Sequence, residues 1–146
     1  MKYFIGNWKM FGVPKSINIL HKINYFYSKD KNRRKYRVII TPPYTLIESY
    51  AKYFKKKKII IGSQNCYQKD QFSSNTAAIS PYMIKRVGAK YTLVGHSDNR
   101  SEGDTNEMLK NKVHFALKNN LKVVFCIGEN KKEKKNKKTF SVLKKQ

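Results

Sequence analysis

The chain has 146 residues, 32 of them basic against 9 acidic, giving a formal net charge of +23 at pH 7. An apolar share of 40%, with 13% aromatic, excludes a disordered composition and allows one domain with a real core. No apolar run approaches the roughly 18 residues of a membrane span, and the first residues already read as a strand, so neither a transmembrane segment nor a signal peptide is expected.

The stretch KYFIGNW, residues 2–8, reads as a first strand. Behind it KSINILHKINYFY carries Ile17, Leu20, His21 and Asn24 at helical spacing, widened by Ile23 and Phe26. Ser16 is the expected N-cap, and Pro14 marks the preceding loop. YRVIIT, residues 36–41, is a continuous apolar run, the pattern of a parallel strand buried on both faces. PPYTLIESYAKYF then gives loop and helix, and KIIIGSQN, residues 58–65, a third strand. A polar stretch over 66–75 is long enough to be a functional loop. SPYMIKRVG is a short helix ended by Gly88, and KYTLVGH is a fourth strand. DTNEMLKNKVHFALKNN is an amphipathic helix that opens with acids, and LKVVFCIGE is a fifth strand. Residues 130–146 are mostly lysine and polar, and are expected to form a solvated tail.

Strands alternating with helices through short links predict parallel β-α-β units. Polar residues gather after the C-terminal ends of the strands: Asn7 and Lys9, Gln64 and Asn65, His96, Glu129. In α/β folds ligands bind at that end. Asn7 and Lys9 are two apart, so strand geometry predicts them on one face with Trp8 on the other. There is no P-loop and no dinucleotide fingerprint. Cys66 and Cys126 form no zinc-type cluster, so no metal is expected, and both read as reduced core residues. Lysine far outnumbers arginine, the preferred reader of phosphates and bases, and it is scattered apart from runs at 55–58 and 131–138. The charge therefore reads as a compositional bias toward A/T-rich codons, with weak, salt-sensitive binding to polyanions as its consequence.

Five motifs occur in order: GNWKM at 6–10, TPPYTLI at 41–47, GSQNCY at 62–67, ISPYMIKRVGAKYTLVGHS at 79–97 and VFCIGE at 124–129. Together they closely resemble the triosephosphate isomerases, over residues 3 to about 129. The resemblance implies a (β/α)8 barrel, here truncated to about five parallel strands over residues 1–129, followed by the lysine-rich tail at 130–146. It implies interconversion of dihydroxyacetone phosphate and glyceraldehyde 3-phosphate, in glycolysis and gluconeogenesis, without a cofactor. It also implies a cytoplasmic homodimer formed through the loop at 66–80, with no specific nucleic acid and no membrane as partner. Carried over by position, Asn7 and Lys9 bind substrate, His96 is the electrophile, and Ser97 and Asp98 support it. The family is itself the reference case for a carboxylate base beside a neutral histidine. Ser97 is expected to cap a short helix after His96, whose positive end would disfavour imidazolium.

The sequence also departs from the family pattern. A full barrel takes about 250 residues. The glutamate base, the lid and the glycine-rich phosphate loops fall outside residues 1–146. These residues alone are expected to show no isomerisation above background, because proton abstraction lacks a base within reach. The family's Thr-Gly-Glu is here Thr76, Ala77, Ala78, and its His-Ser-Glu-Arg-Arg is His96, Ser97, Asp98, Asn99, Arg100. Asp98 is one methylene shorter, which is expected to compromise its contact with Lys9. Five open parallel strands are expected to leave two bare edges and an uncovered apolar face. Three functions stay open: an isomerase catalytic once completed, a non-catalytic remnant or interaction module, and a basic nucleic-acid-binding protein.

Overall fold

A computed structural model describes residues 1–146. Five parallel strands lie side by side in chain order: β1 (Lys2–Asn7), β2 (Tyr36–Thr41), β3 (Ile60–Ser63), β4 (Tyr91–Val94) and β5 (Lys122–Phe125). The connecting helices are α1 (Ile17–Lys29), α2 (Tyr44–Phe54), α3 (Pro81–Arg86), and α4 (Ser97–Ser101) followed by α5 (Asn106–Lys118). Register is set from Lys2 opposite Tyr36 to Asn7 opposite Thr41, and from Tyr91 opposite Lys122 to Val94 opposite Phe125.

Side chains alternate across each strand. One row, Val38, Ile40, Ile61, Val94 and Val123, packs against Leu20, Ile47, Tyr50, Phe54, Ile84 and Leu109 of the helices. The opposite row faces no helix, yet Ile39 and Leu93 on it are buried. Curvature explains this. Tyr3 of β1 and Tyr91 of β4 have ring centroids 6.5 Å apart. Perpendicular side chains three strands apart on a flat sheet would stand about 14 Å from each other. The sheet is therefore rolled toward a barrel, and the uncovered face expected from the sequence partly covers itself. The bare edges remain: Tyr3, Phe4 and Ile5 of β1, and Phe125 of β5, are exposed.

The helices refine the sequence reading. In α1, Leu20 and Tyr27 are the buried pair, two turns apart on one face. His21 is exposed and stacks on Tyr53, while Phe26 points to solvent. Ser16 makes no cap bond to α1. Its hydroxyl accepts the Val13 N–H, because the chain enters the helix directly from a tight turn over Pro14–Ser16. Ser80 and Thr105 do cap, each accepting the N–H three residues on. Gly88 ends α3 at φ +99°, where a β-carbon would meet that of Ala51 at 2.9 Å. Residues 130–146, expected as a solvated tail, form α6 (Lys131–Lys135) and α7 (Thr139–Lys145). Asn130 and Glu133 exchange backbone–side-chain bonds as a capping box that starts α6. No helix is long and apolar enough to cross a membrane.

Candidate active site

The C-terminal ends of β1, β3 and β4 open into a cleft of about 540 Å³. Asn7, Lys9, Gln64, His96 and Asp98 line it, with Tyr44 and Glu102 at its sides. Four of the five side chains named from the sequence thus converge, although 91 residues separate Asn7 from Asp98. Ser97 is exposed and is not among the lining residues.

Lys9 follows the end of β1 in the left-handed region, with φ 52°. Trp8 turns the other way, its ring edge-on to Tyr50 at 6.0 Å. The predicted division of faces holds, although it is the turn at Lys9, not a continued strand, that delivers the ammonium. The Asn7 Oδ1 accepts the Lys9 N–H at 3.0 Å. The Lys9 Nζ stands 3.1 Å from the Asp98 Oδ2, so the shortened carboxylate still makes the contact the sequence put in question. Lysine's flexible stem takes up the lost methylene. Both partners are about half exposed, so the pair orients more than it stabilises. The bond from Lys9 is the main cause that holds the Asp98 carboxyl below the usual carboxylate range, and partial desolvation opposes it.

His96 supplies the cap of α4 that the sequence assigned to Ser97. Its Nδ1 accepts the Asp98 N–H at 3.2 Å. A ring nitrogen that accepts a backbone N–H carries no proton itself, so this geometry is that of a neutral imidazole with its proton on Nε2. The Asp98 Oδ2 is 3.6 Å from the same Nδ1, beyond hydrogen-bond reach.

Three supports were not read from the sequence. The Arg100 guanidinium donates to Gly95 O at 2.8 Å, Cys126 O at 3.1 Å and Asn106 Oδ1 at 3.2 Å, tying the ends of β4 and β5 to the start of α5. Gly95 has φ +79°, and a β-carbon there would meet Arg100 Nη2 at 2.9 Å. Lys112 is buried and donates to both Asp104 oxygens at 2.7 Å and to Asn65 Oδ1 at 3.2 Å. The Gln64 amide donates to Lys9 O and Thr41 O. No residue spacing in the sequence signals these contacts. Burial raises the Cys66 thiol to about 11, so this cysteine is inert packing. Cys126 is half-buried and both thiols are free. No group of three or more His, Cys, Asp or Glu is placed to hold a metal. Glu129 accepts a bond from Thr139 and is not among the residues that line the cleft.

Parallel strands in chain order, rolled toward closure, with polar groups at their C-terminal ends define an α/β-barrel protein. Within that class the comparisons are specific. The family model described as triosephosphate isomerase matches residues 2–146. The triosephosphate isomerase of Wolbachia pipientis wMel is 34% identical over 140 residues, 95% of this chain and 54% of that protein. The triosephosphate isomerase of Thermodesulfovibrio yellowstonii is 31% identical over 99% of this chain and 58% of its own length. The crystal structure of triosephosphate isomerase from Bartonella henselae superposes with a TM-score of 0.92 at 30% identity, over 99% of this chain and 59% of that one. The chain belongs to the triosephosphate isomerase family. It spans about half the length of the curated relatives it matches.

Proposed function

We propose that this chain supplies the lysine and histidine side of a triosephosphate isomerase site, acting on dihydroxyacetone phosphate and glyceraldehyde 3-phosphate. The observation that carries the reading is the convergence of the Lys9 ammonium and an Nε2-protonated His96 on one cleft, joined through Asp98. Lys9 meets the negative charge of the phosphate and of the developing enediolate. His96 Nε2 donates to the substrate oxygen and can take the proton back, which a neutral imidazole permits. Asn7 fixes the Lys9 backbone and offers its amide nitrogen to substrate. The carbon-bound proton needs a base within hydrogen-bond reach. Asp98 is held by Lys9, and we assign that step to no residue of this chain.

We further propose a cytoplasmic homodimer that meets through residues 66–80. That loop projects Phe72, is closed by Tyr67 N to Ile79 O at 2.9 Å, and is anchored where Asp70 meets Lys118 and Asn119. A non-catalytic role is the second reading, favoured by the bare edges of β1 and β5.

The test is an isomerisation assay on the chain alone and on the chain co-expressed with the remaining C-terminal segment of the Wolbachia relative. The chain alone is expected at background. The completed barrel is expected to turn over and to lose about a hundred- to ten-thousand-fold on His96→Gln. Turnover indifferent to His96 contradicts the assignment, and a completed but inert barrel favours the non-catalytic role.

A further inference from the structure

We propose that Gln64 is a positioning residue: its carboxamide holds the Lys9 backbone in the left-handed region and so sets the ammonium on Asp98. The inference rests on the functional reading of Lys9 above, but its geometry is independent of any turnover.

Lys9 carries a β-carbon at φ 52°, a region uncommon for non-glycine residues and shared in this chain by Ala77, Asn120 and Lys137. Both of its peptide groups are held. The N–H is taken by Asn7 Oδ1 at 3.0 Å. The carbonyl accepts from Gln64 Nε2 at 2.7 Å, and the same nitrogen donates to Thr41 O at 2.9 Å. A primary amide nitrogen has two hydrogens, and here each meets one carbonyl. Thr41 ends β2, is fully buried, and also accepts the Trp8 N–H at 3.2 Å. Gln64 therefore fastens the turn after β1 to a fixed point at the end of β2, reaching from the end of β3. From that turn Lys9 spans to Asp98, whose own N–H is on His96. Three strand ends are linked in one series, Gln64 to Lys9 to Asp98 to His96. A carboxylate at position 64 would face two carbonyls with no donor, and an apolar side chain would leave the Lys9 carbonyl unheld.

The experiment is NMR on the full chain. The Asp98 carboxyl is titrated in the unmodified chain, in Gln64→Met (similar length, no donor), and in Lys9→Met, which removes the partner charge. The groups facing Asp98 are Lys9, His96 and Ser97, with Glu102 lining the same cleft. Gln64→Met is expected to move the Asp98 midpoint more than halfway from its depressed value toward that of Lys9→Met, near the ordinary value of about 3.9. The Lys9 HN–Hα coupling should change with it. Ile23→Val, a core change away from the cleft, is expected to move neither. An Asp98 midpoint unchanged in folded Gln64→Met overturns the proposal. The unmodified chain gives a second decision that needs no variant. The Gln64 side-chain amide protons should exchange more slowly than those of exposed Gln71, and equal rates also overturn it. Isomerase activity that is absent from a completed barrel with this coupling intact would sink the functional reading alone.

Discussion

The two ends of the sheet use charge in opposite ways. The cleft at the C-terminal ends of the strands has a single cation, Lys9, and that one is paired, with its backbone hydrogen-bonded on both sides. The groove at the other end, about 580 Å³, is lined by Lys52, Lys55, Lys57, Lys85, Arg86 and Lys90 against one carboxylate, Glu48. None of those cations is in an ion pair; the lysines that are paired are Lys9, Lys112 and Lys118. Lys57 and Arg86 rest over tyrosine rings, and Lys85 donates to Asn120 O. A net charge of +23 thus says little about where chemistry occurs. A few charges held by directional bonds say much more.

The contrast can be broken from the organised side first. Lys112→Met should cost about 3–5 kcal/mol in denaturant unfolding, because it strands the mostly buried Asp104 carboxylate beneath the cleft. Pairing it with Asp104→Leu should restore most of that loss. Gly95→Ala should cost about 1–3 kcal/mol, since it forces a β-carbon into the left-handed region and against Arg100. A cost near zero in the same unfolding measurement would remove Arg100 from the account.

Acid titration probes a smaller effect. The folded Asp98 carboxyl lies below its ordinary range, so its pair with Lys9 adds stability that is complete above about pH 4. That stability is lost as pH falls through the depressed value. Lys9→Met should flatten this acid limb by lowering neutral-pH stability by the same small amount, with little change at low pH, as both groups are half exposed. The unpaired end should respond least. Lys52→Gln, Lys55→Gln and Lys57→Gln together should change stability by less than about 0.5 kcal/mol each and leave the Asp98 midpoint in place. They should weaken polyanion binding only through a shallower salt dependence.

The sequence made the strands plain where burial was two-sided. β2 carries the apolar run Val38, Ile39 and Ile40 and was read to the residue. β3, β4 and β5 were read several residues too long, because the ladder stops where the chain turns toward the cleft, and polarity does not mark that point sharply. The α6 and α7 helices were hidden by their lysines, although Asn130 and Glu133 carried a cap signal three residues apart. At the site, the family resemblance pointed to Asn7, Lys9, His96 and Asp98, which the fold brings to one cleft. What they touch was not legible. The cap on α4 fell to His96 because its ring, not the Ser97 hydroxyl, meets the Asp98 N–H. The reach of Asp98 and the grip of Gln64 depend on the backbone turn at Lys9, which no residue type announces.

The central claim is that the fold delivers His96 as a neutral imidazole with its proton on Nε2. The most direct test is the 15N spectrum of the His96 ring in the folded chain at neutral pH. The structure predicts an acceptor-type Nδ1 shift and a protonated Nε2. A protonated Nδ1, whether in an imidazolium or in the other neutral tautomer, would contradict it.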